Sequence, residues 1–362
     1  MTRPVLVSLA LDHEAPDAVR TAAVLAAKLD VPLASVHALP SRPLETDAHL
    51  EARMAEAKEQ LDALLTIAHD EGCEVLEPIV VRERVVELVL RTAVGLEAQM
   101  IVTGGGSAPT VSRWMLGSTA EQLVRVSPVP VLVARGTRHE QGTPIVCPVD
   151  LSPQSRVGFQ AALRMARLFE SPLVALHVIP SAEHGRLSAE RIEAEVARGE
   201  TVQHELLERF LAGSDTTGVK VEPKVLIGDP AELIVEEAER GWLLVIGSRG
   251  FNDLVPGAVG RVTERALRFS RVSALAVRDS DPGRDEREGR LRELGGYKQL
   301  AEKRIADGEH ARALPLLQVL ATYAPADASI QERIADVMEA LGRADDAERH
   351  RGLARLIRES FA

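Results

Sequence analysis

Short apolar runs and longer segments of helical period alternate along the first 280 residues. Runs at 5–9, 33–39, 75–81, 100–103 and 129–134 read as buried strands. Between them, 15–29, 47–71, 84–95 and 118–126 carry apolar residues at helical spacing. In 47–71 the stripe is Leu50, Met54, Ala57, Leu61, Leu64 and Ala68, with Gly72 as its stop. The alternation then starts again, with strands at 145–149, 173–179, 219–226, 242–246 and 274–277. Helices fall at 155–169, 188–211, 230–240 and 261–270, and Asp229 before Pro230 is an N-cap followed by proline at the first helical position. Such alternation predicts mostly parallel sheets covered by helices on both faces.

The second series is a copy of the first. At an offset of 140, Pro4 falls on Pro144, Leu11 on Leu151, Ala22 on Ala162, His37 on His177 and Pro40 on Pro180. Towards the end of each copy the offset becomes 143, so that Gly104 falls on Gly247, Gly117 on Gly260 and Arg135 on Arg278. Two copies of a domain of ordinary size account for 1–138 and 139–280. From 281 to 362 the pattern is helical with its own period. Gly308 and Gly342, Ala301 and Ala335, and Ala313 and Ala347 are each 34 apart, and Pro325 closes the first unit. The charged stretch 280–289, with Pro282 and Gly283, reads as a linker. The expected architecture is α/β: two tandem doubly wound, Rossmann-like parallel-sheet domains plus a small all-α helical-repeat tail.

Composition narrows the function. A net charge of -11 and only 3% aromatic residues argue against a phosphate-backbone binder or a base-stacking surface, so no nucleic-acid partner is expected. No apolar run has the length of a membrane span, and no targeting segment is evident near Met1. The two cysteines, Cys73 and Cys147, lack metal-like spacing and fit a reducing cytoplasm. No acidic pair, Ser/His/Asp set or HExxH motif accompanies His37 or His177, which are read as strand-end packing or hydrogen-bonding residues. No catalytic residue and no metal ligand is assigned.

The candidate chemistry lies at Gly247-Ser248-Arg249-Gly250, followed after nine residues by Gly260. Strand, glycine turn and helix start in that order suit an anion, because glycines let the backbone approach and free N–H groups point at it. In open parallel sheets the ligand sits beyond the carboxyl ends of the strands, at the switch point. The alternative is that these glycines only turn the chain.

Together with Val149-Asp150-Leu151-Ser152-Pro153, Leu176-His177-Val178 and Gly228-Asp229-Pro230, this turn resembles the universal stress protein family over both copies. The resemblance implies an adenine nucleotide alpha-hydrolase-like fold and ATP as the ligand of copy two. It places Pro148, Asp150 and Val178 at adenine and ribose, Ile246, Gly247 and Gly250 at ribose and triphosphate, and Gly260, Arg261 and Val262 at the phosphates. Arg261 stands where the family has serine or threonine; it pairs with phosphate, points to solvent or fills the site itself, and Arg249 poses the same choice. Copy one departs further: Ala10 replaces Asp150, so the carboxylate is missing unless Asp12 substitutes after a loop shift, Glu83-Arg84 replaces Gly228-Asp229, and Ser107 replaces Gly250. It is expected to bind nucleotide weakly or not at all.

The resemblance also implies dimerisation through the last strand, which a tandem chain meets internally as a pseudo-dimer of 129–134 with 274–277. A homo-oligomer is a further expectation. The tail resembles the tetratricopeptide repeat and is expected to dock on a protein partner, another subunit or the tandem domains, a plain helical bundle being the alternative. The function expected is a cytoplasmic, ATP-responsive binding or regulatory protein of the stress response. Slow ATP hydrolysis on the same scaffold, or a nucleotide-free assembly module acting through its tail, are the other readings.

Overall fold

The computed structural model describes residues 3–42, 44–105, 117–136, 139–180, 203–247, 260–278, 297–323 and 328–360. Copy one comprises β1 (Val5–Ser8), α1 (Ala15–Leu29), β2 (Leu33–Ala38), α2 (Asp47–Asp70), β3 (Ile79–Val81), α3 (Val85–Gly95), β4 (Met100–Gly104), α4 (Ser118–Val126) and β5 (Val131–Ala134). Copy two comprises β6 (Ile145–Pro148), α5 (Pro153–Phe169), β7 (Leu173–Pro180), α6 (203–212), β8 (Val221–Gly228), α7 (Pro230–Ala238), β9 (Leu243–Gly247), α8 (Arg261–Phe269) and β10 (Ser273–Val277).

One strand is shorter than its apolar run predicts. Of 75–81 only β3 pairs continuously, and Val75 makes an isolated bridge to Leu33. Pro78 between them has no N–H to give to a ladder. Of the helix predicted over 188–211, residues up to 202 lie outside the described residues, as do the linker and Pro325.

All ten strands form one sheet, in the order β3-β2-β1-β4-β5-β10-β9-β6-β7-β8. Pairing is parallel within each copy. At the seam β10 runs antiparallel to β5, with Leu275 opposite Leu132. The strands are apolar throughout because both faces are covered. One core runs across the seam, from Leu88 and Leu123 through Ile101 to Leu244, Ile234 and Ala266. The other face carries α1, packed on α2 and against α5. The repeat extends to backbone detail: α1 and α5 both end in a left-handed residue, Asp30 (φ 54°) and Glu170 (φ 52°), whose N–H groups satisfy the last carbonyls of the helix.

By contacts the chain divides into Met1–Ser181 with Phe210–Ser280, which holds the sheet, and Ala182–Arg209 with Asp281–Ala362. In the latter, helix α9 (297–306) is followed by α10 (His310–Tyr323), α11 (Ala328–Ala340) and α12 (Ala344–Ser360). The 34-residue period has a structural counterpart. Gly308 and Gly342 both turn the chain at positive φ, 75° and 74°. Ala301, Ala335, Ala313 and Ala347 are all fully buried. Arg333 of α11 grips the Glu302 carboxylate of α9 with two guanidinium nitrogens, which holds that carboxyl below its usual pKa. No helix among the described residues is long and apolar enough to cross a membrane.

Candidate functional site

Each copy has one place where consecutive strands run off in opposite directions across the sheet: between β1 and β4, and between β6 and β9. A crevice at the carboxyl ends there is the usual ligand position. The two crevices differ. β1 pairs with β4 at four positions, from Val5–Met100 to Ser8–Thr103. β6 pairs with β9 only at Ile145–Leu243 and Val146–Leu244. Pro148, at the end of β6, has no N–H to extend the ladder, so the strands part just before Asp150 and Gly247.

In copy two, the turn after β6 is fixed locally. Asp150 Oδ1 accepts from Ser152 N–H at 3.0 Å, Leu151 takes a left-handed conformation (φ 63°), and Ser152 caps α5 by accepting from Ser155 N–H at 3.1 Å. The His177 ring reaches from β7 to the same turn, Nδ1 lying 2.8 Å from the Val149 carbonyl. A carbonyl only accepts, so Nδ1 carries the hydrogen. His37 does the same to Leu9 in copy one, also at 2.8 Å. Both histidines are therefore strand-end hydrogen-bonding groups, as the sequence suggests. Val178 and Ile246 are buried in β7 and β9, while Pro148 and Asp150 are half-buried.

Gly247 is the last residue of β9 and Gly260 the N-cap of α8. Arg249 and Gly250 lie outside the described residues. Two contacts hold the ends of that turn. Thr263 Oγ1, buried in the first turn of α8, donates to the Gly247 carbonyl at 2.9 Å. On the other side, Gly158 of α5 faces Gly247 so closely that a Cβ there would lie 2.9 Å from the Gly247 nitrogen. Arg261 and Val262, the first two residues of α8, are exposed, and Arg261 has no ion pair or hydrogen bond among the described residues. Asp229 caps α7 by accepting from Glu232 N–H at 3.0 Å and also pairs with Arg265 of α8 at 3.1 Å. The cap bond first, and then Arg265, holds its carboxyl below the usual range.

In copy one a cleft of about 600 Å³ opens at the carboxyl end of the sheet. Asp12, Glu14, His37, Thr103, Gly104 and Ser118 are among its walls. Glu14 leans over the end of β4: a Cβ on Gly104 would lie 3.2 Å from its Oε2. Behind Gly105 lies the Arg135 guanidinium, with Nη1 3.1 Å from where that residue's Cβ would be. Arg135 Nη2 donates to the Leu267 carbonyl of α8 at 3.0 Å, and Nε is buried without a partner among the described residues. Burial pushes this guanidinium's pKa down, with the charge of Glu14 acting against that. The short bond from Gly117 N–H to the Gly105 carbonyl, 2.6 Å, closes the base of the turn. Ser107 lies outside the described residues.

Four residues that shape these sites are not singled out by the motif: Glu14, Gly158, Thr263 and Arg135. At three of them the two copies differ, so the repeat gives no signal for them. At the matching offset Glu14 falls on Gln154, Gly158 on Ala18 and Thr263 on Ala120. Arg135 falls on Arg278, which donates to the Arg125 carbonyl at 2.6 Å, so each copy's arginine binds near the end of the other copy's α4 or α8.

The comparisons agree with this duplicated architecture. A universal stress protein from Mycolicibacterium smegmatis is 28% identical over 288 residues, spanning 76% of this chain and 96% of its own. Universal stress protein Rv2623 of Mycobacterium tuberculosis is 26% identical over 278 residues, 73% of this chain and 92% of its own. Among solved structures, a protein of Pseudomonas aeruginosa PAO1 described as functionally unknown superposes with a TM-score of 0.56 at 18% identity, covering 77% of this chain and 94% of its own. A universal stress protein from Archaeoglobus fulgidus gives a TM-score of 0.54 at 18% identity, covering 77% and 97%, which is agreement in fold. The profile of the Universal stress protein family matches residues 1–135 and again 143–278, and across these two repeats the chain belongs to that family.

Proposed function

We propose that this chain is an ATP-responsive binding or regulatory protein of the stress response, with the nucleotide held by the second repeat. The observation that carries the reading is the start of α8. Arg261 sits there exposed and without a partner among the described residues. A cation at a helix N-terminus is unfavourable against the dipole by about 0.3–1 kcal/mol unless an anion joins it. A phosphate at Gly260 would meet the free N–H groups and the guanidinium together. Asp150, Pro148 and Val178 would take the nucleoside on the neighbouring strand ends, with the carboxylate accepting from a sugar hydroxyl. Ile246, Gly247, Arg249, Gly250 and Val262 would complete the site.

Among the described residues of this arrangement no general base is positioned, and the reading is of binding, with occupancy altering how the repeats or the tail engage a partner. The domains would be 1–138, 139–280 and a tail at 281–362 built of two tetratricopeptide-like hairpins. The buried alanines and paired glycines at 34-residue spacing support that description of the tail, whose role would be to engage another protein in the cytoplasm. Calorimetric titration of the full chain with ATP tests the nucleotide part. Uptake of one equivalent is expected; no heat at millimolar ATP, with none carried through purification, would refute it. Turnover abolished by Asp150→Ala with binding retained would instead favour an enzyme.

A further inference from the structure

Aromatic residues are scarce in this chain, with two tryptophans, two tyrosines and six phenylalanines in 362 residues. Three rings nevertheless meet at one place. Trp242, just before β9, packs 4.7 Å from Phe169, the last residue of α5. His139 stands 5.1 Å from Trp242 and 5.4 Å from Phe169. The rings line a cavity of about 270 Å³ that crosses the seam, and the first repeat supplies its other wall with Val24, Leu25 and Lys28 of α1 and Leu132 of β5. Trp242 and Leu243 mark the amino end of β9, the opposite end of that strand from Gly247. This cavity is therefore separate from the glycine turns.

The fold does not need rings here. At the matching positions of the first repeat, Leu29 stands for Phe169 and Gln99 for Trp242. Trp242 is fixed as a wall, because its Nε1 donates to Ser171 Oγ at 3.1 Å. His139 Nε2 is buried and makes no hydrogen bond among the described residues, a cost that a ligand partner would remove. Lys28 Nζ lies over the Phe169 ring, 6.0 Å from its centroid, and has no ion pair among the described residues. The two carboxylates at the rim are placed differently. Asp17 pairs with Arg20 at 3.6 Å and lies against Gly136, while Glu71 is exposed at the end of α2. Burial first, and then the Lys28 charge, lowers the His139 pKa, so the imidazole is neutral and the charge that bears on it is a cation's.

We infer that this cavity is a binding site for a small planar aromatic carboxylate, with its ring against Trp242 and Phe169, its carboxylate towards Lys28, and one acceptor taking the Nε2 hydrogen of His139. The volume, close to the lower end of the usual 300–1,000 Å³, suits one or two rings. Stacking on the rings supplies affinity, and Lys28 selects the charge. Both repeats form the wall, so occupancy stabilises their pairing at the seam. None of this depends on whether the second repeat holds ATP.

Benzoate is the probe, with benzamide, benzylamine and cyclohexanecarboxylate as its neutral, cationic and non-aromatic counterparts. In full-length Trp114→Phe protein all tryptophan emission comes from Trp242. Benzoate at millimolar concentration should change that emission saturably, and bind more tightly than each of the three counterparts. It should also raise the melting temperature of the wild type. Phe169→Leu, the residue that the first repeat has there, should weaken benzoate about two- to tenfold. Lys28→Gln should weaken it about two- to fivefold and leave benzamide unchanged. Thermal melting without ligand checks that each variant folds. No saturable change with benzoate, benzylamine or cyclohexanecarboxylate binding as tightly as benzoate, or an unchanged benzoate affinity in folded Phe169→Leu or Lys28→Gln would overturn the inference.

Discussion

Replacing Gly158 by alanine tests whether the second repeat depends on a close approach of helix to strand end. Gly158 lies inside α5, where alanine is worth about 1 kcal/mol more than glycine in helix propensity. Against that, the new Cβ would stand 2.9 Å from the Gly247 nitrogen, 3.4 Å from its Cα and 3.5 Å from the Ile246 carbonyl carbon. These are backbone atoms of a buried strand and have no rotamer to escape into. Either α5 or the end of β9 must move by roughly 0.5 Å to reach ordinary contact, and overpacking of this kind costs about 1–3 kcal/mol. The net expectation is a loss of about 0–2 kcal/mol, together with a displaced Gly247 and weaker ATP binding.

A control separates crowding from propensity. Gly95 is the last residue of α3, with nothing within 4 Å of where its Cβ would be. Gly95→Ala should therefore stabilise by up to about 1 kcal/mol. Denaturant unfolding of both variants should place Gly158→Ala below Gly95→Ala by up to about 3 kcal/mol. Equal stability for the two, with ATP uptake unchanged, refutes the close-approach argument. The first repeat already carries the substitution, as Ala18, whose side chain is in the wall of its cleft.

Three further outcomes follow from the same geometry. Thr263→Val keeps the shape but removes the donor to the buried Gly247 carbonyl, and should cost about 1–3 kcal/mol in denaturant unfolding and loosen ATP binding. Arg261→Glu should leave the melting temperature equal or higher, because a carboxylate suits the start of α8, yet lower ATP affinity by more than about tenfold; retained affinity would remove Arg261 from the site. His139, packed 5.1 Å from Trp242, has its pKa pushed below the ordinary 6.5, first by burial and then by Lys28. The unfolded chain then binds a proton there that the folded one does not, so the stability present above about pH 6.5 drains away as pH falls through the lowered value. His139→Phe should flatten the fall in melting temperature between about pH 7 and 5, and an unchanged slope would assign the dependence to other groups.

The elements were largely legible because each is amphipathic or buried at its own period, and because the repeat supplies every strand and helix a second time. α1 runs over 15–29 in both readings, and α4 over 118–126. What periodicity cannot show is distance across the fold. Nothing local marks Gly158 as facing Gly247, or Glu14 as overhanging Gly104; both are tertiary contacts between segments about 90 residues apart. Pro78 is the opposite case, a local feature that shortens β3 and is visible in the sequence once proline is weighed against the apolar run. The asymmetry of the two sites was half legible. The missing Asp150 equivalent and the Arg261 exchange can be read directly, whereas the cleft in copy one requires the folded chain.

The seam shows what tandem duplication does to the sheet. A five-stranded parallel sheet ending in β5 leaves an apolar edge of unpaired backbone groups, which invites pairing with another chain. Here β10 of the same chain takes that edge, and the reciprocal arginines fasten it: Arg135 to the Leu267 carbonyl, Arg278 to the Arg125 carbonyl. Each guanidinium also places a positive charge near the carboxyl end of the other copy's helix, where the dipole favours it. The free edges that remain, β3 and β8, are poor templates. β3 has three residues, and β8 carries Glu222, Pro223 and Lys224, a charge, a residue without an N–H and a second charge. Across the seam, Arg135 lies against Gly105 of the first repeat and holds the Leu267 carbonyl of α8 in the second, so a single side chain joins the glycine turn of one copy to a helix of the other.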